Sequence, residues 1–171
     1  MIRAFNLEQN VSALLIVTTG GTIDKVYFDA KSDYEVGESV VSELLLKARV
    51  RCPFQVVSPL RKDSLELTDA DRALICQTIG GRPERQIVVT HGTDTMTDTA
   101  AVLSELTDRV IVMTGALAPA RFAETDALFN VGMAFAAAQT LESGVYIAMN
   151  GEIFDWREVR KDRTQNAFVR C

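Results

Sequence analysis

Two short loops carry the residues on which chemistry could rest. "TTGGTIDK" (Thr18–Lys25) sets Thr22 directly behind two adjacent glycines, Gly20 and Gly21. "THGTDT" (Thr90–Thr95) sets Thr93 and Asp94 behind Gly92 and the chain's only histidine, His91. Adjacent glycines reach backbone conformations closed to other residues and let a ligand come close. Hydroxyl groups beside a carboxylate can serve nucleophilic or acid–base chemistry, provided a base stands within hydrogen-bond reach.

Each loop also has a plainer explanation. The first can be a Gly-Gly turn leading into a surface hairpin, although the stretch "VYFDAKSDYEVG" that follows shows no clear period. It is not a phosphate loop, since neither GxxxxGK[ST] nor GxGxxG is present. In the second, Thr95 suits a helix N-cap and Asp98 completes a capping-box spacing. That explanation leaves Thr93 and Asp94 unused, one step earlier, where a strand-end loop would aim them at a cleft. His91 reads as a loop-ordering hydrogen-bonder, and without a second histidine no metal site is expected.

The elements that must position these loops alternate along the chain. "SALLIVT" (12–18), "FQVVSPL" (54–60), "QIVVT" (86–90), "RVIVM" (109–113) and "GVYIAMN" (144–150) are short, nearly continuous apolar runs, as in strands buried on both faces. Between them lie helical patterns. One begins near Ser39; one opens with the capping-box pair Thr68 and Asp71 and ends at Gly80-Gly81; one follows Thr95; one places Leu128, Val131, Phe135 and Ala138 on a single stripe. Strand–helix alternation predicts a three-layer α/β/α sandwich on a mainly parallel sheet, Rossmann-like or flavodoxin-like. Sites in such folds form outside the carboxyl ends of strands, which points to the loops after Val17, Val89 and Met113.

The bulk properties agree with one compact domain over residues 1–171. Hydrophobic residues make up 47% and charged residues 24%, with a net charge of −5 and no compensating basic cluster, so nucleic acid and anionic membranes are poor partners. No apolar run approaches a membrane span and the first residues lack a signal peptide's apolar core. Cys52, Cys76 and Cys171 are odd in number and form no CxxC pair, which argues against a disulfide framework or zinc site and for a cytoplasmic location.

Taken together, "TTGGTID" and "VVTHGTDTMTDTA" resemble the two threonine motifs of the bacterial-type L-asparaginase (asparaginase/glutaminase) family. The likeness runs through the chain in the family's order. "KSDYEVG" is similar to its active-site flap at Tyr34, "DSLELTDAD" to its substrate-serine segment at Ser64, "VIVMTGALAP" to its fourth strand and loop at Gly115 and Ala116, and "REVRKDRTQNAF" to its lysine segment at Lys161. The resemblance implies Thr22 as nucleophile, Thr93, Asp94 and Lys161 as a proton relay, and Tyr34 orienting Thr22. It further implies a substrate held by Ser64, Ala116 and the loop backbone at Gly21 and Gly92. The implied function is hydrolysis of L-asparagine or a related small amide, with no cofactor or metal, in a homo-oligomer, here a dimer. The alternative is a non-catalytic module that binds a small amino acid on the same scaffold.

Two departures stand out. Family members are typically two-domain chains whose site is completed by a neighbouring subunit's C-terminal domain, and this sequence matches only the N-terminal one. Leu65 also stands where many members carry a polar substrate-contacting residue, with Glu66 next to it as a possible substitute. Without the resemblance, the charged tail around Lys161 reads as a solvated face.

Overall fold

The computed structural model describes residues 13–28 and 33–171. Its centre is a six-stranded sheet made of β1 (Leu14–Thr18), β4 (Phe54–Val57), β5 (Gln86–Thr90), β6 (Val110–Thr114), β7 (Gly144–Met149) and β8 (Glu152–Asp155). The strand order is β4-β1-β5-β6-β7-β8, parallel throughout except for β8, which returns antiparallel beside β7. The five apolar runs read from the sequence are the five parallel strands.

Side chains that alternate along those strands build two cores. Leu15, Val17, Ile87, Val89, Ile111 and Met113 face one way, against α2 (Asp69–Gly80) and α3 (Met96–Leu103). Leu14, Ile16, Val88, Val110 and Val112 face the other, against α1 (Val41–Lys47) and α4 (Ala127–Thr140). Burial on both faces is why these strands are apolar at successive positions. The three-layer α/β/α expectation holds.

Chain direction then fixes where a cleft can open. From β1 the chain passes to β4 on one side; from β5 it passes to β6 on the other. Connections that diverge from two adjacent strands leave a crevice at their carboxyl ends, the usual ligand position in open α/β sheets. Thr22 follows β1 and Thr93 follows β5.

Several local expectations change. The unpatterned stretch after Thr22 contains a two-stranded ribbon, β2 (Lys25–Phe28) against β3 (Asp33–Val36), with Tyr27 opposite Tyr34. Residues 29–32, part of the expected loop, lie outside the described residues. The charged tail also forms a ribbon, β9 (Val159–Asp162) against β10 (Ala167–Arg170), and Val159 and Phe168 sink into the α2/α3-side core. The Thr68–Asp71 capping box is present in both directions. The one expected at Thr95 and Asp98 is not: Thr95 is the N-cap of α3 but makes no side-chain cap. Its hydroxyl instead donates to the Ser64 carbonyl at 2.8 Å, a partner from a distant loop that sequence spacing cannot reveal. On α4 the buried stripe runs through Val131, Phe135 and Ala138 as expected, but Leu128 is exposed and Ala127 takes the inward place.

Candidate active site

Three loops meet with almost no space between their backbones. Gly20 and Gly21 have φ of 99° and 88°, in the region that favours glycine. A Cβ on Gly21 would stand 2.5 Å from both Cα and N of Gly92, and one on Gly92 would stand 2.5 Å from the Ser64 hydroxyl oxygen. The contact is stitched by main-chain bonds: Thr19 N–H to Thr90 O at 3.1 Å, Gly21 N–H to Lys62 O at 3.1 Å, and Lys62 N–H to Thr19 O at 3.0 Å. Gly21, Gly92 and Ser64 are thereby stacked, and Thr22 and Thr93 each leave that stack one residue later.

His91 locks the middle layer. Its Nδ1 donates to Gly92 O at 2.7 Å, and its Nε2 accepts from the Thr99 hydroxyl at 2.8 Å on α3. Burial pushes the imidazole well down, to about 4, so it is neutral at neutral pH. Both ring nitrogens are occupied in the fold, in keeping with a loop-ordering role.

The cluster with the clearest chemistry lies just beyond. Lys161 Nζ donates to Thr93 Oγ1 at 2.7 Å and to Asp94 Oδ1 at 3.0 Å. Sixty-eight residues separate Lys161 from Thr93 in sequence, so the ribbon β9–β10 must deliver the lysine. Val159 lies two positions before Lys161 and therefore on the same face of β9, and its burial turns that face inward. Phe168, the cross-strand partner of Lys161, is buried as well, and its N–H donates to the Asn150 side chain at 2.8 Å. Arg163 stands 3.9 Å from the Asp94 carboxylate at the outer edge. A hydroxyl, an amine and a carboxylate in hydrogen-bonded series form a path along which a proton can move.

The remaining expected residues fall around this centre. Thr22 is half-buried at the start of a 3-10 turn, Thr22–Asp24. It lines a cleft of about 360 Å³ with Lys25, Tyr34, Pro119 and Phe122. Tyr34 on β3 remains 44% exposed. Ser64 opens the 3-10 turn Ser64–Glu66, and its hydroxyl, although buried, finds no hydrogen-bond partner among the described residues. Ala116 is buried in the loop after β6, where His91 N–H donates to Thr114 O at 2.9 Å and Gly115 lies tight against the His91 carbonyl. Leu65 is 66% exposed beside Ser64. Among the described residues, no three His, Cys, Asp or Glu side chains form a metal-binding group, and no helix is long and apolar enough to cross a membrane.

Sequence reading missed the residues that brace the site. Asp24 is buried with its carboxyl pushed up by that burial; it accepts from Val40 N–H at 3.1 Å and so ties the Thr22 turn to the start of α1. Asp126 accepts from Leu117 and Ala118 N–H at 3.0 and 3.1 Å, while Asn130 donates to Gly115 O at 3.1 Å. The i, i+4 spacing of Asp126 and Asn130 was the available signal. Lys25 pairs with Asp63 at 2.7 Å, joining β2 to the Ser64 turn.

Comparison with known proteins agrees with this arrangement. The profile of the family described as Asparaginase, N-terminal matches residues 13–169. L-asparaginase 2 of Escherichia coli strain K12 is 37% identical over 169 residues, covering 88% of this chain and 47% of that protein. A glutamyl-tRNA(Gln) amidotransferase subunit of Methanococcus vannielii is 31% identical over 172 residues, covering 90% and 38% respectively. The solved structure of the thermostable L-asparaginase from Thermococcus kodakarensis superposes with a TM-score of 0.80 at 26% identity, over 92% of this chain and 51% of that one. The chain thus spans about half the length, or less, of these relatives. With the profile match running nearly end to end and the motifs meeting at one crevice, the chain belongs to the asparaginase family, to the part described as its N-terminal domain.

Proposed function

We propose that this chain is the nucleophile-bearing domain of an amidohydrolase that acts on L-asparagine or a related small amide, releasing ammonia and a carboxylate. The observation that carries the reading is the bridge from Lys161 to Thr93 and Asp94, 2.7 and 3.0 Å long, on the loop that packs against that of Thr22. Thr22 Oγ attacks the amide carbonyl carbon as its hydroxyl proton enters the relay. The tetrahedral oxyanion is stabilised by a loop N–H such as that of Gly92, the Gly21 N–H being taken by Lys62 O. The C–N bond then breaks as the nitrogen takes the proton that Thr22 gave up and leaves as ammonia. Water cleaves the acyl-threonine ester and restores the hydroxyl. Lys161, bonded to both Thr93 and Asp94, completes the relay that carries protons to and from the reacting groups, and Asp94 holds the lysine in place. Tyr34 orients Thr22. Ser64 receives the substrate carboxylate, which gives its unpartnered buried hydroxyl a use, and the Ala116 backbone meets the substrate's amide.

The reaction as written needs neither metal nor cofactor. A cytoplasmic homodimer, with a second copy beside the cleft, is part of the same reading, and sedimentation at assay concentration tests it. The direct test is ammonia release from asparagine, glutamine and short amides by the full chain and by Thr22→Ala. Turnover of at least one amide is expected, with a loss of at least about a hundredfold in the variant. A folded chain that releases no ammonia across the panel overturns the reading; a thermal shift with aspartate alongside that result would put a binding module in its place.

A further inference from the structure

Phe122 is a large apolar side chain left 45% exposed on the loop between β6 and α4, and its surroundings give that exposure a purpose. The loop carrying it is fixed at several points. Phe122 N–H donates to Pro119 O at 3.0 Å, Ala120 N–H donates to Ile23 O at 3.1 Å, and the Thr125 hydroxyl donates to Ala118 O at 3.0 Å. The Ile23 bond is the important one, because Ile23 belongs to the turn that begins at Thr22. Phe122 is therefore referenced through the backbone to the same turn that holds the nucleophile candidate.

From this anchored loop the Phe122 ring meets Tyr34 edge-on, with centroids 6.1 Å apart and planes at 60°. Tyr34 also meets Tyr27, at 5.4 Å and 64°. These two contacts differ in kind. Tyr27 is the cross-strand partner of Tyr34 within the ribbon, so it moves with Tyr34 and cannot fix the ribbon relative to the sheet. Phe122 belongs to the scaffold. Edge-to-face packing of this sort has a preferred geometry as well as an attraction.

We propose that Phe122 is a positioning residue that acts through Tyr34, holding its ring at the cleft that Thr22, Lys25 and Pro119 also line. The inference rests on the roles given above to Thr22 and Tyr34. It does not require Phe122 to touch substrate.

The test has one arm that reads position and one that reads turnover. In the full chain, hydrogen exchange of the β2 and β3 amides should quicken at least fivefold in Phe122→Leu, remain at the wild-type rate in Phe122→Tyr, and stay unchanged on β5 and β6 in both. On the best amide of the panel, Phe122→Leu should lower kcat between fivefold and tenfold with KM within twofold, and Phe122→Tyr should restore it. Combined with Tyr34→Phe, Phe122→Leu should add less than twofold to the loss. Unchanged exchange in Phe122→Leu overturns the inference. So does a raised KM at constant kcat, the behaviour of a substrate wall, or full additivity with Tyr34→Phe. If the wild-type chain releases no ammonia, the amidohydrolase reading fails by that result, and the exchange arm alone decides whether Phe122 positions Tyr34.

Discussion

The loop that bears Thr93 and the ribbon that bears Tyr34 both border the turn of Thr22, yet they are built in opposite ways. The Thr93 loop is buried: His91 and Thr93 are 0% and 4% exposed, and Gly92 is pressed between Gly21 and Ser64. The side chains of His91 and Thr93 are spoken for by Thr99, Lys161 and the loop backbone. On the ribbon, Tyr27 and Tyr34 are 53% and 44% exposed and pack against one another and Phe122. The proposed relay over 2.7 and 3.0 Å needs fixed separations, because small misplacements slow proton transfer steeply. A group that orients a hydroxyl from the rim can sit on a lighter support. The division sets a buried, closely packed loop against a rim that stays open to solvent.

The comparison is broken most severely at Gly21. Gly21→Ala imposes a side chain on a residue with φ of 88° and ψ of −171° and drives a Cβ into the Gly92 backbone. A loss of about 3 kcal/mol in unfolding free energy is expected, read from the urea midpoint, together with loss of ammonia release. A similar substitution among the exposed residues of the ribbon should do far less.

His91 supplies a pH signature confined to the buried loop. Its folded-state value lies near 4 against 6.5 for the free side chain. Above pH 6.5 the imidazole is neutral whether folded or unfolded, and its contribution is fully present. As pH falls from 6.5 toward 4, the unfolded chain binds a proton that the folded chain refuses, so stability declines by up to about 1.4 kcal/mol per pH unit. Across that window the decline totals about 3 kcal/mol. Urea titrations between pH 4 and 7 should show it, and His91→Gln should remove that component of the slope. An unchanged slope would mean that the loop is more open than its burial indicates.

The smallest effect sharpens the helix-start assignment. Thr95→Val removes the 2.8 Å bond to the Ser64 carbonyl and should lower stability by about 1 kcal/mol. Because that bond joins α3 to the serine turn, the same variant should weaken binding of asparagine or aspartate, read by calorimetry. Thr68→Ala should lower stability by a similar amount through its capping box, with no change in binding.

Much of this was legible in the chain itself, for reasons that particular residues make plain. The parallel strands announced themselves because both faces are buried, so "LLIVT" and "VIVMT" have no polar alternation to confuse. Thr93 and Asp94 could be singled out because the helix-start reading of Thr95 and Asp98, itself mistaken for the Thr95 hydroxyl, left them over. Lys161 was another matter. In sequence it sits in "REVRKDR", indistinguishable from a solvated run, and only the resemblance to the asparaginase family drew attention to it. The burial of Val159 and Phe168, which turns that strand inward, depends on a ribbon whose alternation is masked by charges at Arg160, Asp162 and Arg163. Thr95 misled for the converse reason: a local rule assigned its hydroxyl to α3, while the fold offered it the Ser64 carbonyl. Long-range partners such as Phe122 with Tyr34, or Asp24 with Val40, leave no spacing to read.

The central claim is that Lys161 works on Thr93 as part of an amide-hydrolysing proton path. It is tested most directly by kcat/KM for ammonia release in wild type and Lys161→Met, with urea midpoints measured on the same samples. The account expects a fall of about a hundredfold or more with little change in midpoint, since the lysine is held by two hydrogen bonds near the surface and the hairpin by Val159 and Phe168. Activity within twofold of wild type in a folded Lys161→Met protein would contradict it.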